Sequence, residues 1–79
     1  MDHIEKRLSE IMSEVFQVPI EKIDSESSQD NISNWDSLSH FDLIITIEEA
    51  WGITIPVEEI GSMTSMKIIS LILKELTAS

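Results

Sequence analysis

Apolar residues recur at three- and four-residue steps through the first stretch of the chain, at Ile4, Leu8, Ile11, Met12, Val15 and Phe16, while Glu5, Lys6, Glu10 and Glu14 lie off that stripe. The period predicts an amphipathic helix over residues 2–17. Asp2 is its expected N-cap. Pro19 is its expected stop, because the residue before a proline, Val18, is steered out of the helical region. Residues 18–36 lose the period and include the polar, turn-forming run Asp24-Ser25-Glu26-Ser27-Ser28-Gln29-Asp30-Asn31. A connection this long in a small domain needs pinning and is often functional. Val18, Ile20, Ile23, Ile32 and Trp35 are the expected pins, with a short helical turn near Ile20 to Ile23.

The helical period returns over residues 37–51, with Leu38, Phe41, Ile44, Ile45, Ile47, Ala50 and Trp51 apolar. That spread is wider than one stripe, so part of the helix is expected to be exposed and apolar; His40, Asp42, Glu48 and Glu49 form its polar edge. Gly52 fits a left-handed stop. Ile53-Thr54-Ile55 reads as an extended link to Pro56, the expected first residue of a short helix with Glu58 and Glu59 in its first turn and Gly61 and Ser62 at its end. Thr64 or Ser65 is expected to cap a last helix over residues 65–76, whose apolar side is Met66, Ile68, Ile69, Leu71, Ile72, Leu73 and Leu76. The predicted fold is all-α: a four-helix bundle of three main helices and one short one, with a long first loop, in a single domain over residues 1–79. The long loop leaves room for two helices to run parallel, since a short turn would enforce antiparallel neighbours.

Composition changes this picture in a few respects. At 79 residues the chain lies near the lower size at which one core is stable unaided, and with no Cys it has no disulfide or thiolate metal site. Packing among its 42% hydrophobic residues must hold the fold, with Met12, Met63, Met66 and Trp51 expected in the core or lining a pocket. Fifteen acidic residues against five basic ones give a formal net charge of -10. Such a field repels nucleic-acid backbones and anionic membrane surfaces and favours partners with basic patches. The opening Asp2-His3-Ile4-Glu5-Lys6-Arg7 lacks the apolar core of a secretory leader, and no apolar run exceeds three residues, as in Leu43-Ile44-Ile45. The expectation is a cytoplasmic monomer without membrane insertion. No metal site is expected. His3 and His40 lack ligand spacing, and Asp24 to Trp35 fails as a calcium loop, with Gln29 at its sixth position and Trp35 at its twelfth.

The candidate chemistry lies at Asp36-Ser37-Leu38, where the second helix begins. A helix N-terminus tolerates an anion, and a hydroxyl there can carry a phosphate. A serine at that position could equally serve only as an N-cap, but Asp36 can cap instead and leave the hydroxyl free. No nucleophile elbow surrounds Ser37, and His40, one turn along the same helix, reads as an ordinary surface residue. Trp35 reads as a loop anchor.

Asn34-Trp35-Asp36-Ser37-Leu38, followed by Asp42-Leu43, Glu48-Glu49-Ala50-Trp51, Ile55-Pro56 and Thr64-Ser65-Met66, resembles the acyl carrier protein family over nearly the whole chain. The resemblance implies that Ser37 receives 4'-phosphopantetheine from coenzyme A through a phosphopantetheinyl transferase that uses Mg²⁺, with Asp36 beside it. It implies a shuttle and not an enzyme, holding acyl groups as thioesters for acyl-loading and acyl-transferring enzymes with basic patches. Leu38 and Ile45 would be the apolar centre of those transient contacts, and Asp42, Glu48 and Glu49 their acidic surround. The family's helices can part to shelter an acyl chain. Trp35 replaces the small residue usual in housekeeping fatty-acid carriers, and Ile32 lies one residue out of step. Trp35-Asp36-Ser37-Leu38 resembles carriers of specialised pathways, such as polyketide, modified-sugar or other secondary acylation systems. Two other readings stay open: a peptidyl or aminoacyl carrier using the same serine, and an acidic helical adaptor with no cofactor.

Overall fold

The computed structural model describes residues 3–77. Its elements are α1 (His3–Phe16), α2 (Ser37–Trp51), α3 (Val57–Ile60) and α4 (Met66–Thr77), with one 3₁₀ turn over Ile20–Lys22 in the first loop. The described residues form no strand; one isolated antiparallel bridge joins Ser28 and Ser65. The all-helical expectation and its four helices therefore hold. The expected Asp2 cap lies outside the described residues.

α1 packs against both α2 and α4. Its stripe delivers Leu8, Ile11, Met12 and Phe16 to a core completed by Leu43, Ile44 and Ile47 of α2 and Met66, Ile69, Ile72 and Leu73 of α4. Met63 joins them, so all three methionines expected inside are buried. Trp51 is only half-buried, with the Arg7 guanidinium 5.7 Å from its ring centroid. The indole end of α2 thus meets a cation where an apolar core was expected.

The end of α1 departs from the proline-stop expectation. The helix ends at Phe16 because Gln17, the residue that follows it, turns left-handed, at φ 55°. The Val18 N–H then donates to the Ser13 carbonyl at 3.2 Å, and the Ser13 hydroxyl donates to the Val18 carbonyl at 2.6 Å. This is the six-to-one closure that glycine usually supplies. α2 closes the same way with its expected glycine: Gly52 has φ 64°, and the Ile53 N–H donates to the Glu48 carbonyl at 3.1 Å.

The long first loop is pinned by Ile23, Ile32 and Trp35, which are buried, whereas Val18 is half-buried and Ile20 exposed. Its polar residues bond one another. The Ser27 hydroxyl accepts from the Asp24 N–H, the Asn31 carboxamide accepts from the Ser28 N–H, and the same carboxamide donates to the Glu26 carbonyl. Two backbone bonds staple the loop to the start of α4: Gln29 N–H to the Thr64 carbonyl at 3.0 Å, and Met66 N–H to the Ser27 carbonyl at 2.8 Å. The second satisfies a donor that the first turn of α4 would otherwise leave open. The Ser65 hydroxyl accepts from Ile68 N–H at 3.2 Å, so of the two expected caps for α4 it is Ser65 that serves. Pro56 sits one residue earlier than expected, as the residue before α3 rather than its first.

Candidate functional site

Each residue from Asn34 to Leu38 has a distinct task. Asn34 donates its carboxamide to the Phe16 carbonyl at 2.6 Å, which ties the loop to the end of α1. Trp35 is buried and stacks on Phe16, with ring centroids 4.8 Å apart. Asp36 caps α2, its carboxylate accepting from the Ser39 N–H at 2.9 Å. The Ser39 N–H, followed by the Ser39 hydroxyl, holds the Asp36 carboxyl below the usual carboxylate range. Ser37 opens the helix with its side chain exposed, and Leu38 beside it is 76% exposed. No hydrogen bond among the described residues engages the Ser37 hydroxyl. Because Asp36 satisfies the first-turn donor, that hydroxyl has no capping duty.

Beside Ser37 lies an open cleft of about 620 Å³. Trp35, Ser37, His40 and Phe41 form one wall, and Val57, Ile60 and Gly61 of the α3 segment form the other, with Gln29 and Asp36 at the margin. Trp35, Phe41, Val57 and Ile60 are its apolar lining, and Phe41 and Val57 are exposed.

The expected recognition residues divide. Leu38, Asp42, Ile45 and Glu49 are exposed and follow one another at four-, three- and four-residue steps, so they share one face of α2. Glu48 is set apart: it is half-buried, and its carboxylate accepts from the Ile55 N–H at 2.8 Å, strapping the 53–55 link to the end of α2. Phe41, 57% exposed and one turn from Ser37, belongs with the apolar face although it was expected only as part of a broad apolar spread.

His40 is a larger departure, being half-buried and doubly bonded rather than an ordinary surface residue. The Trp35 indole N–H donates to its Nδ1 at 3.0 Å, and its Nε2 lies 2.8 Å from the Ile60 carbonyl oxygen. An indole nitrogen can only donate and a carbonyl can only accept, so Nδ1 is the bare nitrogen and Nε2 carries the proton. Trp35 and His40 are five apart, a spacing that signals nothing while the tryptophan's loop conformation is unknown. No Lys or Arg occurs between Lys22 and Lys67, so the span holding the cleft is acidic throughout, apart from His40. Among the described residues no three His, Asp or Glu side chains gather to hold a metal ion, and no helix is long and apolar enough to cross a membrane. Set against known protein families, the chain matches no family model.

Proposed function

We propose that this protein is an acyl carrier in which Ser37 bears a 4'-phosphopantetheine arm. The observation that carries the reading is the Ser37 hydroxyl: exposed, unengaged, relieved of capping by Asp36, and opening a 15-residue helix beside an apolar-walled cleft. A phosphodiester fits there because unpaired backbone N–H groups and the positive end of the helix favour an anion. The arm, when bound, supplies a terminal thiol on which an acyl group is held as a thioester, chemistry for which this cysteine-free chain has no side chain. In the attachment step the Ser37 oxygen bonds to the phosphorus of coenzyme A that bears the pantetheine. The bond from that phosphorus to adenosine 3',5'-bisphosphate breaks, and the serine proton passes to a base on the transferase. Asp36 holds the first turn of α2 in place while this occurs.

The stripe of Leu38, Asp42, Ile45 and Glu49 suits a partner with a small apolar seat ringed by Lys and Arg. Such contacts are small, brief and salt-sensitive, as a shuttle between enzymes requires. Trp35 before Asp36-Ser37-Leu38 favours a specialised acylation pathway, and the cargo is supplied and removed by other enzymes.

The test is direct. Incubation with coenzyme A, Mg²⁺ and a broad-specificity phosphopantetheinyl transferase is expected to add one phosphopantetheine to the intact mass, and Ser37→Ala to abolish the gain while leaving the melting temperature unchanged. A wild-type protein that stays unmodified across several transferases would overturn the reading.

A further inference from the structure

Phe16 of α1, Trp35 of the first loop, His40 of α2 and Ile60 of α3 form one continuous chain of contacts behind the cleft. Phe16 and Trp35 stack at 4.8 Å, Trp35 donates to His40 at 3.0 Å, and His40 donates to the Ile60 carbonyl at 2.8 Å. The Ile60 carbonyl also accepts from the Met63 N–H at 3.2 Å, so the same oxygen fixes the turn that follows α3. α3 is a single turn of four residues with no side-chain cap, and Val57 on it is 81% exposed. So short an element has little of its own to hold it, and the His40 bond fastens it across the cleft to α2.

We propose that His40 is a bolt between α2 and α3, and that it keeps whatever is tethered to Ser37 lying in the open cleft and out of the core. This rests on the carrier reading and gives it a substrate class: short acyl groups, for which burial in the core brings little. Three observations carry it. The bolt spans the two walls of the cleft, since His40 and Ile60 both line it. Parting those walls would break the His40–Ile60 hydrogen bond, for which the imidazole is held in place by the indole N–H of Trp35, a side chain only 5% exposed. Behind the walls the core is already filled, with Leu43, Ile47, Met63, Met66 and Ile69 at 0% exposure, so a long chain would have to displace packed side chains as well. His40 acts here as a positioning residue; it does not touch the serine's chemistry.

The experiment loads Ser37 from acetyl-, butyryl- and octanoyl-coenzyme A with the transferase, then follows thioester cleavage by hydroxylamine and backbone amide exchange. Wild type, His40→Ala and His40→Phe are compared; the phenylalanine variant keeps a ring against Trp35 and removes both hydrogen bonds. In wild type the three thioesters are expected to cleave at one common rate. In both variants the octanoyl form is expected to be selectively protected, by about tenfold or more, because each methylene moved from water into a core multiplies the buried population about fourfold. A merely structural role for His40 would change all three chain lengths alike. Octanoyl protection already present in wild type would overturn the bolt and leave the carrier reading intact. Length-independent cleavage in both variants would also overturn it. If Ser37 accepts no arm at all, the carrier reading fails. The bolt alone is then judged by exchange of the Ser62 and Met63 amides: faster exchange in both variants supports it, and unchanged exchange overturns it.

Discussion

The two sides of α2 are built from the same kinds of residue and meet opposite environments. Leu43 is 0% exposed and Leu38 76%; the adjacent Ile44 and Ile45 are 3% and 54%. One side meets α1 and closes the core. The other carries the exposed Leu38 and Ile45, with the cleft shared with the α3 segment beside the Ser37 end. Single exposed apolar side chains are ordinary, and Ile20, Ile68, Leu71 and Leu76 are exposed elsewhere on the molecule; a group of them on one face is the more informative case. Here Leu38, Phe41 and Ile45 of α2 are exposed on the helix that Ser37 opens, and Phe41 and Val57 share the cleft with Ser37. The buried side is held for stability, and under the proposed carrier function the open side is the one that would meet partners.

Truncating each side should separate these roles. Leu43→Ala is expected to cost about 2–5 kcal/mol in urea unfolding, as for other buried leucines. Leu38→Ala should stay within about 0.5 kcal/mol, as surface changes do, while lowering kcat/KM of an acyl-transferring enzyme for the loaded carrier. An equal loss of stability from Leu38→Ala would mean that the open face is packed after all.

The two helix ends sharpen the comparison on a smaller scale. Gly52 and Gln17 occupy the same left-handed position after α2 and α1. Gly52→Ala should cost about 1 kcal/mol through backbone strain alone, because a Cβ there meets nothing within 4 Å. Gln17→Gly should gain about 0.5 kcal/mol, the relief of strain being partly offset by glycine's freedom in the unfolded chain. Both are read from denaturant midpoints.

Titration distinguishes the Asp36 end of α2 from its surroundings. The native Asp36 carboxyl titrates below its unfolded value, so its contribution is fully present above about pH 3.9 and is lost as pH falls through the lower native value. The stability gap between wild type and Asp36→Ala should therefore be open at neutral pH and close in strong acid. A gap that does not change with pH would mean that the charge of the cap is irrelevant. The smallest effect is general: raising NaCl from low ionic strength should lift the melting temperature by screening a net charge of -10. The exposed Lys67–Glu26 pair, at 2.8 Å, opposes the trend only weakly.

Much of this was legible in the chain. The start and end of α2 fall where Asp36 and Gly52 place them, because a cap and a left-handed glycine act over a few residues and depend on little else. The exposed apolar face follows from an apolar spread too wide for one stripe. The turn at Gln17 was not legible: Ser13 and Val18 close it through contacts that no residue type announces. The role of Glu48 was missed as well, since its backbone partner, the Ile55 N–H, is brought near only by the turn at Gly52.

By itself the sequence determined the helices, the bare serine at the head of the second one, and the acidic field around it, all of which arise from near neighbours along the chain. Only the tertiary structure decided that Trp35, His40 and Ile60 would join across three elements, and that the cleft beside Ser37 would have a fastened wall. Hydrogen bonds between distant residues depend on where folding brings their donors and acceptors, and no local period or composition encodes that position.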